Sequence, residues 1–181
     1  MTINEQGLKN QIKAKRFDRL YFIYGSEDYL KQYYAALIPK KTVEPDFEAF
    51  NLHRLDGKST TLDEISDCIA SLPMMGEYSC TVVYDMDLSQ LISGKKGEEK
   101  SSEDDFSSLG GRFNEFVEIV ADIPESSILI FWMDTVQVDL KNYKWIKITK
   151  TFEKFGTAVK LEKRNTSALS KLLCESAKKK S

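Results

Sequence analysis

The residues nearest to a recognisable chemical site are Gly25, Ser26, Glu27 and Asp28, which directly follow a short apolar run. A working phosphate-binding loop reads G-x-x-x-x-G-K-[ST], because backbone N–H groups surround the phosphates and a lysine reaches them. Here the second glycine is missing, and two carboxylates lie where the phosphate charge would arrive. The sequence therefore predicts a degenerate phosphate loop that does not bind ATP in the usual mode.

Aspartates that follow predicted strands are the second group of candidates for chemistry. Asp28, Asp56, Asp85 and Asp134 each come after such a strand, and Asp87 lies just beyond Asp85. Carboxylate oxygens bind Mg²⁺, so Asp28 and Asp85 could serve a degenerate nucleotide-binding phosphotransferase. Aspartate is also common as a cap after any strand, and without a phosphate loop this interpretation is favoured. The phosphotransferase that uses Asp28 and Asp85 with Mg²⁺ stays the alternative function.

The counts of histidine and cysteine argue against most other catalytic sites. His53 is the only histidine, which leaves few ways to build a metal site or a Ser-His or Cys-His nucleophile. Cys68, Cys80 and Cys174 are widely spaced and odd in number, so we expect reduced thiols and no zinc site. We therefore expect no metal, no cofactor and no catalysis by this chain.

The charge and hydropathy patterns bear on nucleic acid and membrane partners. The formal net charge of −2 gives no general attraction to nucleic acid. Lysines and arginines concentrate in residues 9–19; a basic helix face is most often solvated, and a DNA-binding module is a further alternative. No apolar run approaches the ~20 residues that span a bilayer, and the N-terminus has no apolar signal core. We expect a cytoplasmic protein with no membrane contact.

The elements that must position these residues alternate along the chain. Apolar runs predict five strands, and segments with helical spacing precede the first strand and follow each of them. Near-continuous apolar strands that alternate with helices are typical of a parallel sheet covered on both faces. We predict an α/β domain over residues 1–163 and the start of a second helical domain over residues 164–181. The predicted strands are 20–25, 50–57, 80–87, 126–134 and 157–162, the predicted helices are 3–16, 26–38, 60–72, 109–121, 142–155 and one from 165 onward, and 88–108 is a predicted surface loop.

The segment Leu72-Pro73-Met74-Met75-Gly76 lies between a predicted helix and the third predicted strand. One interpretation is that the two methionines fold back onto the sheet as packing at the helix end, and composition alone favours it. The other is that Leu72, Met74 and Met75 project beyond the helix as an apolar knob. Methionine is flexible and polarizable, so it suits a plug that enters a pocket on another protein.

Four segments in this order resemble the delta subunit of bacterial DNA polymerase III. They are LYFIYGSEDYL, FNLHRLDG, SLPMMGEYSCTVVYDMD and SILIFWMD. The similarity covers almost the whole chain, including the basic helix that leads into the first strand. The resemblance implies an AAA+-like (P-loop NTPase-like) first domain with a degenerate phosphate loop, in which we expect the second glycine and the lysine to be missing. It also implies a clamp-loader subunit without ATPase activity, working in DNA replication as part of the polymerase complex.

The resemblance further implies partners and a site. Members of the family assemble with delta-prime and with the ATP-hydrolysing gamma or tau subunits. They bind the ring-shaped sliding clamp, the beta subunit, and open one of its interfaces so that primed DNA can enter. The clamp contact comes from apolar residues at the end of the helix before the third strand, here Leu72, Met74 and Met75. The family also has a C-terminal collar domain, which we expect this chain to lack, together with most of the second domain.

Overall fold

The computed structural model describes residues 1–93 and 111–163, and within them six parallel strands form one sheet. The strand order is β1-β6-β2-β5-β4-β3. The strands are β1 (Thr2–Ile3), β2 (Leu20–Tyr24), β3 (Leu52–Asp56), β4 (Ser79–Tyr84), β5 (Ser127–Trp132) and β6 (Thr157–Lys160). The α-helices are α1 (Glu5–Lys13), α2 (Asp28–Thr42), α3 (Glu48–Asn51), α4 (Leu62–Ala70), α5 (Gly111–Ala121) and α6 (Tyr143–Phe155), with short 3-10 turns at Pro45–Phe47 and Leu88–Leu91.

The prediction of a five-stranded sheet is wrong by one strand, because β1 adds an edge that the sequence pattern did not indicate. β1 pairs in parallel with Ala158 and Val159 of β6. Ile3, which was predicted to open the first helix, instead belongs to this strand. The helix begins after Asn4, whose side chain accepts the N–H of Gly7 as an N-cap.

Helices cover both faces of the sheet, as predicted for an α/β domain. All five residues of β2 are buried, since β2 lies between β6 and β5 in the middle of the sheet. On one face α4, α5 and α6 contribute core residues such as Ile65, Phe116 and Phe152. On the other face the core residues come from α1 and α2, among them Leu8 and Ile38. A strand buried on both faces reads as a continuous apolar run.

Several predicted helix limits shift by a few residues. The helix predicted over residues 26–38 is α2, which continues through Pro39 and ends at Thr42. The proline therefore lies in the last turn of the helix. The helix predicted over residues 60–72 is α4, whose N-cap is Thr61 in a capping box with Glu64. The helix predicted over residues 142–155 is confirmed as α6, which begins after its N-cap Asn142 and ends before Gly156.

Some predictions fall on residues outside the described part of the chain. The helix predicted from residue 165 onward, the second domain over 164–181 and most of the predicted loop 88–108 lie there. The loop's first residues are described: Leu88 and Leu91 are buried against the α5–α6 side of the sheet. Within residues 1–93 and 111–163, no helix has the length and apolar character needed to cross a membrane.

Candidate functional site

The apolar knob lies between the end of α4 and the start of β4. Leu72 is 83% exposed, Met75 is 74% exposed and Met74 is 48% exposed. Composition alone favoured packing of the two methionines onto the sheet. Their exposure shows that this interpretation is wrong. Three large apolar side chains instead face solvent within four residues of chain.

Two serines at the starts of neighbouring strands hold the end of α4. The Ser127 hydroxyl donates to the Ile69 carbonyl at 2.7 Å. The Ser79 hydroxyl lies 3.4 Å from the Ser71 carbonyl and 3.1 Å from the Ser127 hydroxyl. The last carbonyls of a helix have no partner within the helix, so these bonds satisfy them. Because both serines open their strands, the knob lies at the amino edge of the sheet.

Asn51, the last residue of α3, holds the backbone of the knob from a second direction. The Met74 N–H donates to Asn51 Oδ1 at 2.7 Å, and Asn51 Nδ2 donates to the Met74 carbonyl at 2.9 Å. Asn51 itself is only 1% exposed. The next residue, Met75, has a φ of 48°, a left-handed conformation that is uncommon for a residue other than glycine. Asn51 was not among the residues predicted for the site, since its only signal in the sequence is a polar residue near the start of the predicted strand 50–57.

The loop predicted as a degenerate phosphate loop, residues 25–28, lies at the opposite, carboxyl edge of the sheet, where β2 ends. Lys31 stands six residues after Gly25, the spacing of the lysine in a phosphate loop, so the expectation that this lysine is missing is wrong. Its side chain is 3% exposed, and its ammonium lies 3.0 Å from the Asp28 carboxylate. The hydrogen bond and the charge of Lys31 lower the pKa of the Asp28 carboxyl. The Asp28 carboxylate thus forms an ion pair with Lys31, the lysine that would contact a phosphate in a working phosphate loop.

The chain that follows β6 packs directly against this loop. The Leu161 N–H donates to the Tyr24 carbonyl at 2.8 Å, and the Glu27 N–H donates to the Leu161 carbonyl at 3.1 Å. The Lys163 N–H donates to the Ser26 hydroxyl at 3.0 Å. The Ser26 hydroxyl therefore accepts a bond from Lys163, and the Glu27 amide is bonded to the protein's own backbone.

Asp85, the other candidate of the phosphotransferase hypothesis, organises the loop after β5. Its Oδ1 accepts the N–H groups of Asp134 and Thr135 at 3.0 Å and of Val136 at 2.9 Å. Its Oδ2 accepts the Thr135 hydroxyl. In residues 1–93 and 111–163 no three histidine, cysteine or acidic side chains are grouped as metal ligands. This carboxylate is used as a structural acceptor, the role favoured for it from the sequence.

We expect the carboxylate of Asp85 to make stability depend on pH in the acid range. Burial raises its pKa, but the hydrogen bonds from Thr135, Val136 and Asp134 outweigh burial and leave the pKa below its ordinary value. A lowered pKa in the folded state stabilises the fold above the unfolded value of about 3.9, and this stabilisation is lost as the pH falls through the folded value. Urea unfolding between neutral pH and about pH 2 should show the loss.

An Asp85→Asn variant tests this dependence. We expect it to be less stable than the wild type at neutral pH and to lose less stability on acidification. Asp67→Asn, at an exposed carboxylate on α4, serves as the matched control and should keep the wild-type pH dependence. The same acid dependence in Asp85→Asn and the wild type would contradict the assignment.

Comparisons with known proteins find one matching family model and solved structures with a similar fold. The family model described as DNA polymerase III, delta subunit matches residues 21–162. The DNA clamp loader delta protein YqeN of Bacillus subtilis has a similar structure, with a TM-score of 0.70 and 18% identity, over 97% of this chain and 47% of that chain. A DNA polymerase III gamma subunit-related protein of Thermotoga maritima is similar with a TM-score of 0.53 and 12% identity, over 88% of this chain and 47% of that chain.

The two solved structures are similar in fold, and this chain spans about half the length of each. No curated protein sequence matches this chain at a significant level. The family model, however, covers well over half of the chain, including the loop after β2, the apolar knob and the strands between them. The chain therefore belongs to the DNA polymerase III delta subunit family.

Proposed function

We propose that this chain is the clamp-binding part of a clamp-loader delta subunit and that it binds the sliding clamp through the apolar knob. The observation that carries the proposal is the exposure of Leu72, Met74 and Met75 on a backbone held by buried side chains. Exposed apolar side chains on an ordered backbone are suited to fill a pocket of another protein. Their position before β4 is the one that the family resemblance implies.

The knob can supply enough free energy for specific binding. Each fully buried leucine or methionine side chain contributes ~1.5–3 kcal/mol, and part of this sum is offset by the cost of association. Opening the ring requires more than affinity. A protein shifts an equilibrium only if it binds one state better than the other, so the domain must bind the open clamp more tightly than the closed clamp.

The remaining partners follow from the same proposal. Delta-prime and the gamma or tau subunits would complete the loader, and ATP hydrolysis would occur in gamma or tau and regulate access to the knob. We expect this chain to be a non-catalytic, AAA+-like component that meets primed DNA only indirectly. Contacts through the collar domain would need parts of the delta subunit beyond residues 1–163.

Direct binding tests the proposal. The chain should bind the sliding clamp of its own organism in surface plasmon resonance. A folded chain that shows no affinity for that clamp contradicts the proposed function.

We expect no affinity for MgATP, in contrast to the phosphotransferase alternative. Lys31 is paired with Asp28, the Glu27 amide bonds to Leu161, and Asp85 accepts bonds from the loop after β5. Isothermal titration with MgATP should give no binding heat at millimolar nucleotide. A gamma or tau subunit titrated under the same conditions is the positive control. Saturable binding of MgATP by this chain would instead favour the phosphotransferase.

A further inference from the structure

We propose that Asn51 is a positioning residue for clamp binding, which holds the backbone of the apolar knob in its binding conformation before the clamp arrives. The proposal rests on the proposed function of the knob. It concerns a buried residue that would not touch the clamp. Asn51 would act through Met74 and Met75.

The geometry around Met74 is the first support. Its N–H and its carbonyl are both bonded to one side-chain amide, at 2.7 Å and 2.9 Å. Met74 lies between α4 and β4, outside regular secondary structure. The Asn51 side chain therefore supplies the pair of backbone bonds that a neighbouring strand would supply in a sheet. Met74 is thus held in the way a strand residue is held by its neighbour, although Asn51 lies 23 positions earlier in the chain.

The burial pattern is the second support. Met75 is 74% exposed and Met74 is half-exposed, so apolar packing of their side chains is incomplete and leaves the backbone hydrogen bonds to fix this segment. Asn51, in contrast, is buried, and a buried side-chain amide needs hydrogen-bond partners. The partners that it has are the backbone groups of Met74. The order of the knob thus depends on a polar residue beneath it.

The backbone of Met75 is the third support. Its left-handed φ of 48° costs conformational energy that the surrounding structure must offset. Met74 is bonded directly before it, so the two bonds to Asn51 restrict the chain at the point where this conformation begins. A segment that is already ordered loses less conformational entropy on binding than a mobile one. Removing Asn51 should therefore weaken clamp binding even though the knob side chains are unchanged.

A double-mutant cycle with the full chain tests this role. We expect Asn51→Ala to weaken clamp binding by about tenfold, the order expected for the loss of one or two hydrogen bonds. In a Met74→Ala/Met75→Ala background the same change should have almost no further effect, because the contacts that Asn51 positions are already gone. Asn142→Ala is the matched control: it removes the N-cap of α6, away from the knob, and should destabilise the fold without changing clamp affinity.

A second variant and a second measurement keep the test decisive if Asn51→Ala does not fold. Asn51→Asp preserves the size and the acceptor facing the Met74 N–H but replaces the donor with an oxygen facing the Met74 carbonyl. We expect the same direction of change in clamp affinity. Hydrogen exchange, which needs no clamp, should show a protected Met74 amide in the wild type and a rapidly exchanging one in Asn51→Ala. Asn51→Asp should give an intermediate rate, because it keeps the acceptor of the Met74 N–H but places two oxygens against each other at the Met74 carbonyl.

The outcomes separate this proposal from the proposed function. If the folded wild type does not bind the clamp, both fail. If the wild type binds, and Met74→Ala/Met75→Ala weakens binding but the Asn51 variants do not, only the positioning role is overturned. Equal effects of Asn51→Ala with and without the methionines, or an equal loss of affinity in Asn142→Ala, would also overturn it.

Discussion

Replacing both methionines of the apolar knob, Met74→Ala together with Met75→Ala, is expected to weaken binding to the sliding clamp by about tenfold or more. Each buried methionine contributes ~1.5–3 kcal/mol to an interface, and a loss of about 1.4 kcal/mol is tenfold in affinity. The two side chains are 48% and 74% exposed in the isolated chain, so their removal should cost the fold little. This variant should therefore lose affinity for the clamp while its free energy of unfolding stays close to that of the wild type.

Surface plasmon resonance against the clamp, with thermal unfolding of each variant beside it, measures both properties. Ile146→Ala is a suitable control, because Ile146 is an apolar residue of α6 with 40% of its surface exposed and lies outside the knob. It should bind the clamp as the wild type does. Equal binding by the double methionine variant and the wild type would move the contact to another surface and leave the family assignment unchanged.

Gly25→Ala is expected to destabilise the fold strongly, although the residue lies in a loop. Gly25 has a φ of 129°, and a Cβ there would lie 2.0 Å from the Leu161 carbonyl oxygen. The clash is with backbone, so it cannot be relieved by a side-chain rotation. Unfavourable φ/ψ costs ~1–3 kcal/mol and overpacking a further ~1–3 kcal/mol, which is a large part of a typical stability of about 5–15 kcal/mol.

Gly111→Ala is the matched control for this substitution. Gly111 is the first residue of α5, and an added Cβ there would have no atom of residues 1–93 or 111–163 within 4 Å. Alanine favours a helix over glycine by up to about 1 kcal/mol, so this variant should be as stable as the wild type or slightly more stable. Urea unfolding compares the two. A Gly25→Ala variant with wild-type stability would contradict the packing of residues 161–163 against the loop.

Most of the regular structure could be predicted because its signals are local. The strands β2 and β5 are buried on both faces and therefore appear as continuous apolar runs. Asn142 and Gly156 mark the two ends of α6 through capping and the loss of helical propensity. The strand β1 could not be predicted in the same way, because two residues show no alternation and their partner, β6, comes at the other end of the described chain.

The sequence by itself determined which side chains are candidates for the site: Leu72, Met74 and Met75 follow a helix with its own apolar stripe, and the family resemblance favours them. It also determined that the loop after β2 departs from a working phosphate loop. Only the tertiary structure decided that the knob is exposed, that Asn51 and two serines hold it, and that Lys31 is paired with Asp28. The physical reason is that exposure and most of these hydrogen bonds depend on residues far apart in the chain, which are brought together only when the sheet and its helices have packed.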